Sequence, residues 1–316
     1  MSPMTDISVT CAGSAVFDIL AKTSADSLPI GVLGLVDTFS TAEGGPALRT
    51  GRVLAGMGVE TKLIIPTGDD IFGQSFHRTV PAPHLRVDWI DSPHPTSTSM
   101  VLVDRAGERT MLHNIGADAS VTAEAIEARM EGPFLHVGGA LVLPGLDDPD
   151  GAPLAVLFER ARARGIHTSL DVVHDSTARW QRVLPSLPHL DLFIPSRIEA
   201  EEITGVSDPA DAAAALRQRG VRFAIVTDGP RGAWVDHADF VGHIPAFRVD
   251  TIDTTGAGDA FSGGVLVGLV HGLGAEDAAR LGAAVGALAT TTIGTFSGPE
   301  DRDLPWRMAG LPAPRP

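Results

Sequence analysis

Short apolar runs rich in β-branched residues alternate along the chain with longer stretches in which apolar residues recur at helical spacing. That alternation is the pattern of repeated βα units wound around a mainly parallel sheet. Strands are expected at 7–12, 62–66, 134–137, 167–173, 192–195 and 224–227, and helices at 47–57, 123–130, 152–164, 210–219, 259–271 and 276–290. The pattern therefore predicts one α/β domain over 1–316, a doubly wound, mainly parallel central sheet flanked by helices. Two segments break it. Residues 96–114, TSTSMVLVDRAGERTMLHN, read as two strands joined by a turn at Arg105-Ala106-Gly107-Glu108. Residues 28–44 lack helical period and set apolar and β-branched residues between glycines. Together they are expected to form a small β lid over one edge of the main domain, of the kind that keeps water from a reaction it would spoil. Plain excursions from the sheet are the alternative.

Composition narrows the class. With 316 residues, 44% apolar and only 20% charged, burial can offset chain entropy over most of the length. The 39 acids against 24 bases leave a net charge of −15, which repels a phosphate backbone and excludes a broad nucleic-acid footprint. Any anion site must be local. The single Cys11 allows no intramolecular disulfide or CxxC pair. The segment MSPMTDISVT has no basic n-region, and GGVLVGLVHGLG falls short of the ~20 apolar residues of a span, so a soluble cytoplasmic protein is expected, with no membrane partner. Lys22 and Lys62 are the only lysines, and neither follows a glycine loop. A Walker A site is absent and a Schiff-base lysine is disfavoured. The eleven histidines show no His-x3-His or HExxH spacing, which argues against a transition-metal site.

The most informative stretch is Asp253-Thr254-Thr255-Gly256-Ala257-Gly258-Asp259-Ala260-Phe261, followed by a helical run. Gly-Ala-Gly ahead of a helix lets the backbone pass close to a ligand, and the unpaired amides of the first turn then point at it. An anion suits such a cradle. Asp259 at the helix start would face the same point, a pairing that fits phosphoryl transfer: amides hold the moving group while the carboxylate deprotonates an attacking hydroxyl. A plain helix cap followed by a turn is the other reading of these residues. A dinucleotide fingerprint fits worse, because Phe261 stands where Gly or Ala is needed.

Several motifs in order make the chain resemble the ribokinase-like (PfkB) family of carbohydrate kinases. They are GSAVFDIL (13–20), EGGPALRTGRVLAGMGVET (43–61), TGDDIFGQ (67–74), LVDRAGERT (102–110), PSRIEAEEITG (195–205), VTDGPRGAW (226–234) and DTTGAGDAFSGG (253–264). The resemblance implies an ATP-dependent phosphotransferase that phosphorylates a hydroxymethyl group of a sugar or sugar derivative, with Mg2+ and, in many members, K+. Asp259 matches the catalytic base and Gly256, Ala257 and Gly258 the anion hole. Asp18 matches the acid that binds sugar hydroxyls, and Gly44 and Gly45 the backbone that lets the sugar approach. Glu199 matches an acid associated with magnesium and phosphate. Thr227, Gly229 and Gly232 match the nucleotide loop, 282–297 the border of the adenine, and Asp253 and Thr255 the monovalent-cation loop. A homodimer through the lids is implied too. A nucleoside kinase, or a binding or regulatory protein of the same fold with weakened catalysis, stands as the alternative.

Three positions depart from the family pattern. Arg49 replaces an Asn that bonds the sugar, and Ser196 replaces the Asn of Asn-x-x-Glu. Val16 replaces a polar residue of ribokinases proper, which argues against ribose. A guanidinium only donates and is permanently charged, so Arg49 is expected either to clamp an anionic group of the substrate or to swing out to a surface acid. Arg105 and Arg109 in the lid are expected to be solvated. Asp259, a carboxylate at a helix N-terminus, is expected to be held ionised and to be a weak base.

Overall fold

The structure, a computed structural model, describes residues 6–24, 31, 33–105, 109–148, 150–173, 177 and 179–314. From edge to edge the main sheet runs β13 (Phe240–Ile244), β12 (Ala233–His237), β11 (Phe223–Thr227), β10 (Leu192–Phe193), β9 (His167–Val172), β8 (Phe134–Ala140), β1 (Val9–Gly13), β4 (Thr61–Gly68) and β5 (Leu85–Ser92). Every pairing from β11 to β5 is parallel, and the β11-β12-β13 edge is antiparallel. The doubly wound expectation holds. β1 and β4 are buried along their whole length, as strands covered by helices on both faces must be.

The helices are α1 (Pro46–Gly56), α2 (Ile71–Thr79), α3 (Ala123–Glu127), α4 (Ala152–Ala163), α5 (Arg197–Thr204), α6 (Pro209–Gln218), α7 (Ala257–Val270), α8 (Ala275–Ala289) and α9 (Leu304–Met308). One core packs α1, α7 and α8 on the sheet through Leu48, Leu54, Val265 and Val285; the other packs α3 to α6 through Ile126, Phe158, Ala200 and Leu216. α7 is apolar nearly all round because it is buried between α1 and α8. A Cβ on Gly264 would stand 2.8 Å from the Cα of Gly282, so this crossing requires small residues.

A second sheet has the order β3-β2-β6-β7, with β2 at Val16–Lys22, β3 at Thr38–Gly44, β6 at Thr98–Val103 and β7 at Arg109–Asn114. The expected hairpin is there as the β6-β7 pair, but the small sheet draws on more of the chain than 28–44 and 96–114. Its largest correction is β2. The chain leaves the main sheet at Ser14 and enters the second sheet as an inner strand between β3 and β6, antiparallel to one and parallel to the other. Of 28–44 only Thr38–Gly44 is a strand; 28–30 and 32 lie outside the described residues, as does the expected turn at 106–108.

Other differences are local. α2, α5, β5 and the β12-β13 hairpin went unmarked in the apolar pattern, because each is short or lies at an edge with one face in water. α2 instead announces itself by its cap, Asp70, which accepts from the amides of Phe72 and Gly73 at 3.0 and 2.8 Å. The 3-10 stretch Trp180–His189 holds Pro185 and Pro188, which forbid an α-helix there. Helix α7 begins at Ala257 rather than 259, so Ala257 and Gly258 belong to its first turn. The C-terminal segment is docked: Leu311 donates its amide to Trp306 O at 2.8 Å, and Leu311 and Ala313 pack on the core. Among the described residues no helix is long and apolar enough to cross a membrane.

Candidate active site

Three elements bring the central residues together. Gly256 takes a left-handed conformation (φ 74°) that turns the chain into α7 and sets Asp259 at the third helical position, while the Ala257 amide donates back to Thr254 O at 3.2 Å. α1 starts at Pro46, whose missing N–H costs nothing at the first position, and places Arg49 one turn on. β2 carries Asp18 in register with Ala42 of β3 and Ser99 of β6.

Arg49 joins the two acids. Its Nη2 donates to Asp18 Oδ2 at 2.9 Å, and its Nη1 stands 3.7 Å from Asp259 Oδ2. Asp18 and Asp259 are buried. The guanidinium does not swing out to a surface acid, so that half of the sequence expectation is corrected. In this structure its partners are the site's own carboxylates. Its stem lies along the turn, with Cδ 3.1 Å from where a Cβ on Gly256 would be. The Nε is buried without a hydrogen-bond partner, an orphan donor inside a polar site.

The glycine pair is explained by this geometry. A Cβ on Gly44 would fall 2.2 Å from Asp18 Oδ2 and 2.7 Å from Arg49 Nη2. Gly45 has φ 94°, and its Cβ would fall 2.5 Å from the carbonyl of Ser14. At Gly258, by contrast, a Cβ would meet nothing within 4 Å, so the first turn of α7 faces open space.

The electrostatics overturn one expectation. Burial pushes Asp259 up to about 6; Arg49 opposes this, while Glu199 and Asp18 add to it. Removal from water outweighs the helix terminus, so Asp259 is a stronger base than a cap carboxylate and is still mostly ionised above neutrality. Burial also raises Asp18, against the pull of Arg49 and of a hydrogen bond from Ser99. Asp171 on β9 is driven well above the ordinary carboxylate range by burial and then by Asp259 and Glu199. Asp18, Asp171, Glu199 and Asp259 thus share one region with the Arg49 guanidinium.

Sequence reasoning missed Asp171, although an acid inside the buried run SLDVV was a usable signal. It missed Ser99 and His113 as well. Ser99 Oγ lies 3.0 Å from His113 Nδ1, which extends the Asp18 network across the β6-β7 hairpin. Nothing in the alternation of a lid strand marks such residues.

Ser196 and Glu199 form a capping box on α5: Glu199 Oε2 accepts from the Ser196 amide at 2.7 Å, and Ser196 Oγ accepts from the Glu199 amide at 3.4 Å. The hydroxyl that replaces Asn therefore has a structural task. Thr227 pairs with Ser196 across an isolated bridge, and Gly229 and Gly232 follow in the β11-β12 turn, where Asp228 N donates to Gly232 O at 2.8 Å. Asp253 Oδ1 accepts from Thr255 N and Oγ1 at 2.9 and 2.7 Å, while Ile252 N and Asp253 N donate to Thr290 O. The 252–255 and 290–294 loops are thereby tied together. Of 282–297, the helical part packs on α7, with a Cβ on Gly286 3.2 Å from Ala257 O, so only its end reaches the surface. Val16 is buried at the base of β2; Arg105 is exposed, as expected.

The open first turn of α7 leaves room at Gly258 for an anionic group such as a phosphate. For a divalent cation, no group of three or more potential ligands converges among the described residues. The mutually repelling acids Asp171, Glu199 and Asp259 nonetheless suit Mg2+, which takes one or two carboxylates and completes its shell with phosphates and water.

Comparison with known proteins adds what geometry does not. The profile described as "pfkB family carbohydrate kinase" matches residues 6–302. The chain is 29% identical to a fructokinase of Klebsiella pneumoniae over 297 residues, covering 88% of this chain and 94% of that protein. It is similar in fold to a ribokinase of Arabidopsis thaliana complexed with ribose and ATP, at a TM-score of 0.79 and 19% identity, covering 98% of this chain and 100% of that one. Phosphofructokinase-2 of Escherichia coli in complex with potassium gives a TM-score of 0.79 at 20% identity, covering 97% and 99%.

Proposed function

The chain belongs to the pfkB family of carbohydrate kinases, and on that premise we propose that it carries out its ATP-dependent phosphorylation of a sugar at a hydroxymethyl group held between Asp18, Gly45, Arg49 and Asp259. The observation that carries the reading is the Arg49 bridge from Asp18 to Asp259 beside the open turn of Gly256, Ala257 and Gly258.

Asp259 takes the proton of the attacking hydroxyl. Raised to about 6, it is ionised at neutral pH and yet accepts a proton more readily than an exposed carboxylate. The first-turn amides stabilise charge that develops on the moving phosphoryl group, a role in which one preorganised donor is worth ~2.7–4 kcal/mol. Asp18 orients sugar hydroxyls, with Ser99 and His113 behind it. Arg49 adds attraction for a carboxylate or phosphate on the sugar, so the preferred substrate is an anionic sugar derivative. Its orphan Nε supports this.

ATP lies with its phosphates on Gly256–Gly258 and its nucleoside toward Ser196, Thr227, Gly229 and Gly232. Glu199 and Asp171 would hold Mg2+ on their side of the phosphates, and the ion would supply positive charge there. Asp253 and Thr255 border a K+ site, supported by the hydrogen bonds that bind their loop to 290–294. The second sheet acts as a lid. Leu33, Leu35, Phe39, Met100, Met111 and Leu112 expose large apolar side chains on or beside it, which supports a homodimer formed through two lids. The cytoplasm, where ATP is abundant, is the proposed compartment.

The test is incubation of the purified chain with MgATP and a panel of neutral sugars, sugar acids and sugar phosphates. Product formation abolished by Asp259→Asn supports the reading. Binding of sugar or nucleotide without any product defeats it.

A further inference from the structure

Four crossings join the lid to the main domain: Ser14 and Ala15 between β1 and β2, Gly45 between β3 and α1, residues 93–97 between β5 and β6, and Ile115 after β7. Asp118, in the 3-10 turn Gly116–Ser120, is fully buried beside them. Ser14 Oγ donates to its Oδ2 at 2.5 Å and the Ala15 amide to its Oδ1 at 3.3 Å. Ser97 Oγ accepts from the Asp118 amide at 2.9 Å and donates to Ile115 O at 2.5 Å, while Ser97 O accepts from the Phe17 amide at 2.8 Å. Gly45 sits against the Ser14 carbonyl. Asp118 thus holds the β1-β2 crossing with its carboxyl and the 93–97 crossing with its backbone amide; Ser97 passes the tie to Ile115, and Ser14 passes it to Gly45.

We propose that Asp118 is a positioning residue that sets the angle of the lid, and through it the placement of Asp18 and Gly45 relative to Asp259. Asp18 lies four residues beyond Ser14 on β2, so a change at the crossing is carried directly to the sugar-binding acid. This deepens the kinase reading and rests on it for its consequence to the sugar, but the tie itself is a property of the unliganded chain.

The hinge also responds to pH. Burial raises Asp118 to about 7, opposed only by its hydrogen bonds to Ser14, Ala15 and Ser97. The charged groups on the packed strands β4 and β5 are Lys62, Arg86, Asp88 and Asp91. Lys62 pairs with Asp88 and Glu131, Arg86 pairs with Glu131, and Asp91 is exposed. On the other side of the 93–97 crossing, Asp70 holds the amide and hydroxyl of Thr96 at 2.7 and 2.9 Å, and its hydrogen bonds keep it below the usual range and ionised. Exposed His94 lies on that crossing too. The sign follows from the raised value: the neutral carboxyl is at home in the closed hinge, whereas an open hinge that admits water lets it ionise in the ordinary carboxylate range. The opening constant therefore rises by up to ~10-fold per pH unit as pH climbs toward 7, and levels off above 7, where both states are charged.

Amide hydrogen exchange of the full unliganded chain tests this without any substrate, at pH 6.0, 7.0 and 8.5 after correction for intrinsic rates. In the wild type, protection of β2, β6 and β7 should fall with rising pH by ~10-fold more than protection of β8. In Asp118→Asn the pH dependence should vanish. Lid protection that does not vary with pH in the wild type, or varies equally in Asp118→Asn, overturns the proposal. If Asp118→Asn loses protection throughout the main sheet, Ser14→Ala decides: selective loosening of the lid supports the tie, and uniform loosening overturns it. With the sugar that yields product, Asp118→Asn should raise the sugar KM by ~5–20-fold while kcat and the ATP KM stay within about twofold, whereas equal losses in all three overturn a positioning role. Failure to find a sugar substrate would sink the kinase reading and leave the exchange result standing.

Discussion

Arg49 Nη2 donates to Asp18 Oδ2 at 2.9 Å, so the residue that departs most from the sugar-kinase pattern is the one that connects the sugar-binding acid to the catalytic turn. A guanidinium there lowers the proton affinity of both carboxylates, since it favours their charged forms. It also replaces an amide that could donate and accept with a cation that only donates.

Arg49→Asn should therefore move two observables together. The acid limb of the kcat/KM profile should shift to higher pH by about one unit, because Asp259 loses the group that opposes its protonation. Preference should move from sugar acids or sugar phosphates toward neutral sugars by ~10-fold or more. A pH-rate series on one anionic and one neutral sugar measures both. An unchanged selectivity ratio would place Arg49 outside substrate recognition.

Asp259→Asn should lower kcat by ~10²–10⁴, the range for losing a positioned base, and should remove the acid limb centred near pH 6. The stability effect has the opposite sign. A carboxyl whose folded value is raised to about 6 stabilises the fold while protonated, and that contribution is lost as pH rises through 6. At pH 8 the wild type thus carries a buried charge that Asn does not. Asp259→Asn should melt at higher temperature than the wild type at pH 8, by a few degrees on a scale of ~2–4 °C per kcal/mol, and the gap should shrink below pH 6 and close by about pH 4, where the unfolded carboxyl is protonated too. Calorimetry at the two pH values checks this.

What could be read from the chain depended on how local the cause was. The parallel strands and long helices were legible because burial on both faces leaves continuous apolar runs, as in β4 and α7. The GAGD turn was legible because Gly256 alone sets the left-handed entry to α7. β2 was not, because an apolar run continues across Ser14 while the chain changes sheets, and the reason lies in the tie between Ser14 and Asp118, 104 positions away. Asp171 and Asp118 were hidden for the same reason. Their character comes from desolvation, which only the packed molecule supplies. The basicity of Asp259 was misjudged because the helix terminus is visible in sequence and burial is not.

Gly44→Ala should separate sugar from nucleotide binding. The new Cβ would fall 2.2 Å from Asp18 Oδ2 and 2.7 Å from Arg49 Nη2, so one of the two must move. The sugar KM should rise by ~10-fold or more with the ATP KM unchanged within about twofold. Steady-state kinetics with each substrate varied in turn measures this, and a matching rise in both constants would mean that Gly44 acts on the fold rather than on the sugar pocket.

Met111→Glu tests the lid as a meeting surface. Met111 is 68% exposed on β7, directly opposite Val101 of β6, and Leu112 beside it is 65% exposed. A carboxylate there would carry its charge into any lid-to-lid contact, where an unpaired buried charge is costly, yet would remain solvated in a monomer. Light scattering after size exclusion should show the wild type at twice the chain mass of 32.9 kDa and Met111→Glu at the chain mass itself. The melting temperature of the variant at low protein concentration should match that of the wild type within ~2 °C, because an exposed side chain on a single chain contributes little. A wild type that elutes as a monomer at micromolar concentration would leave these apolar side chains without a second lid to cover them, and the dimer would have to be abandoned.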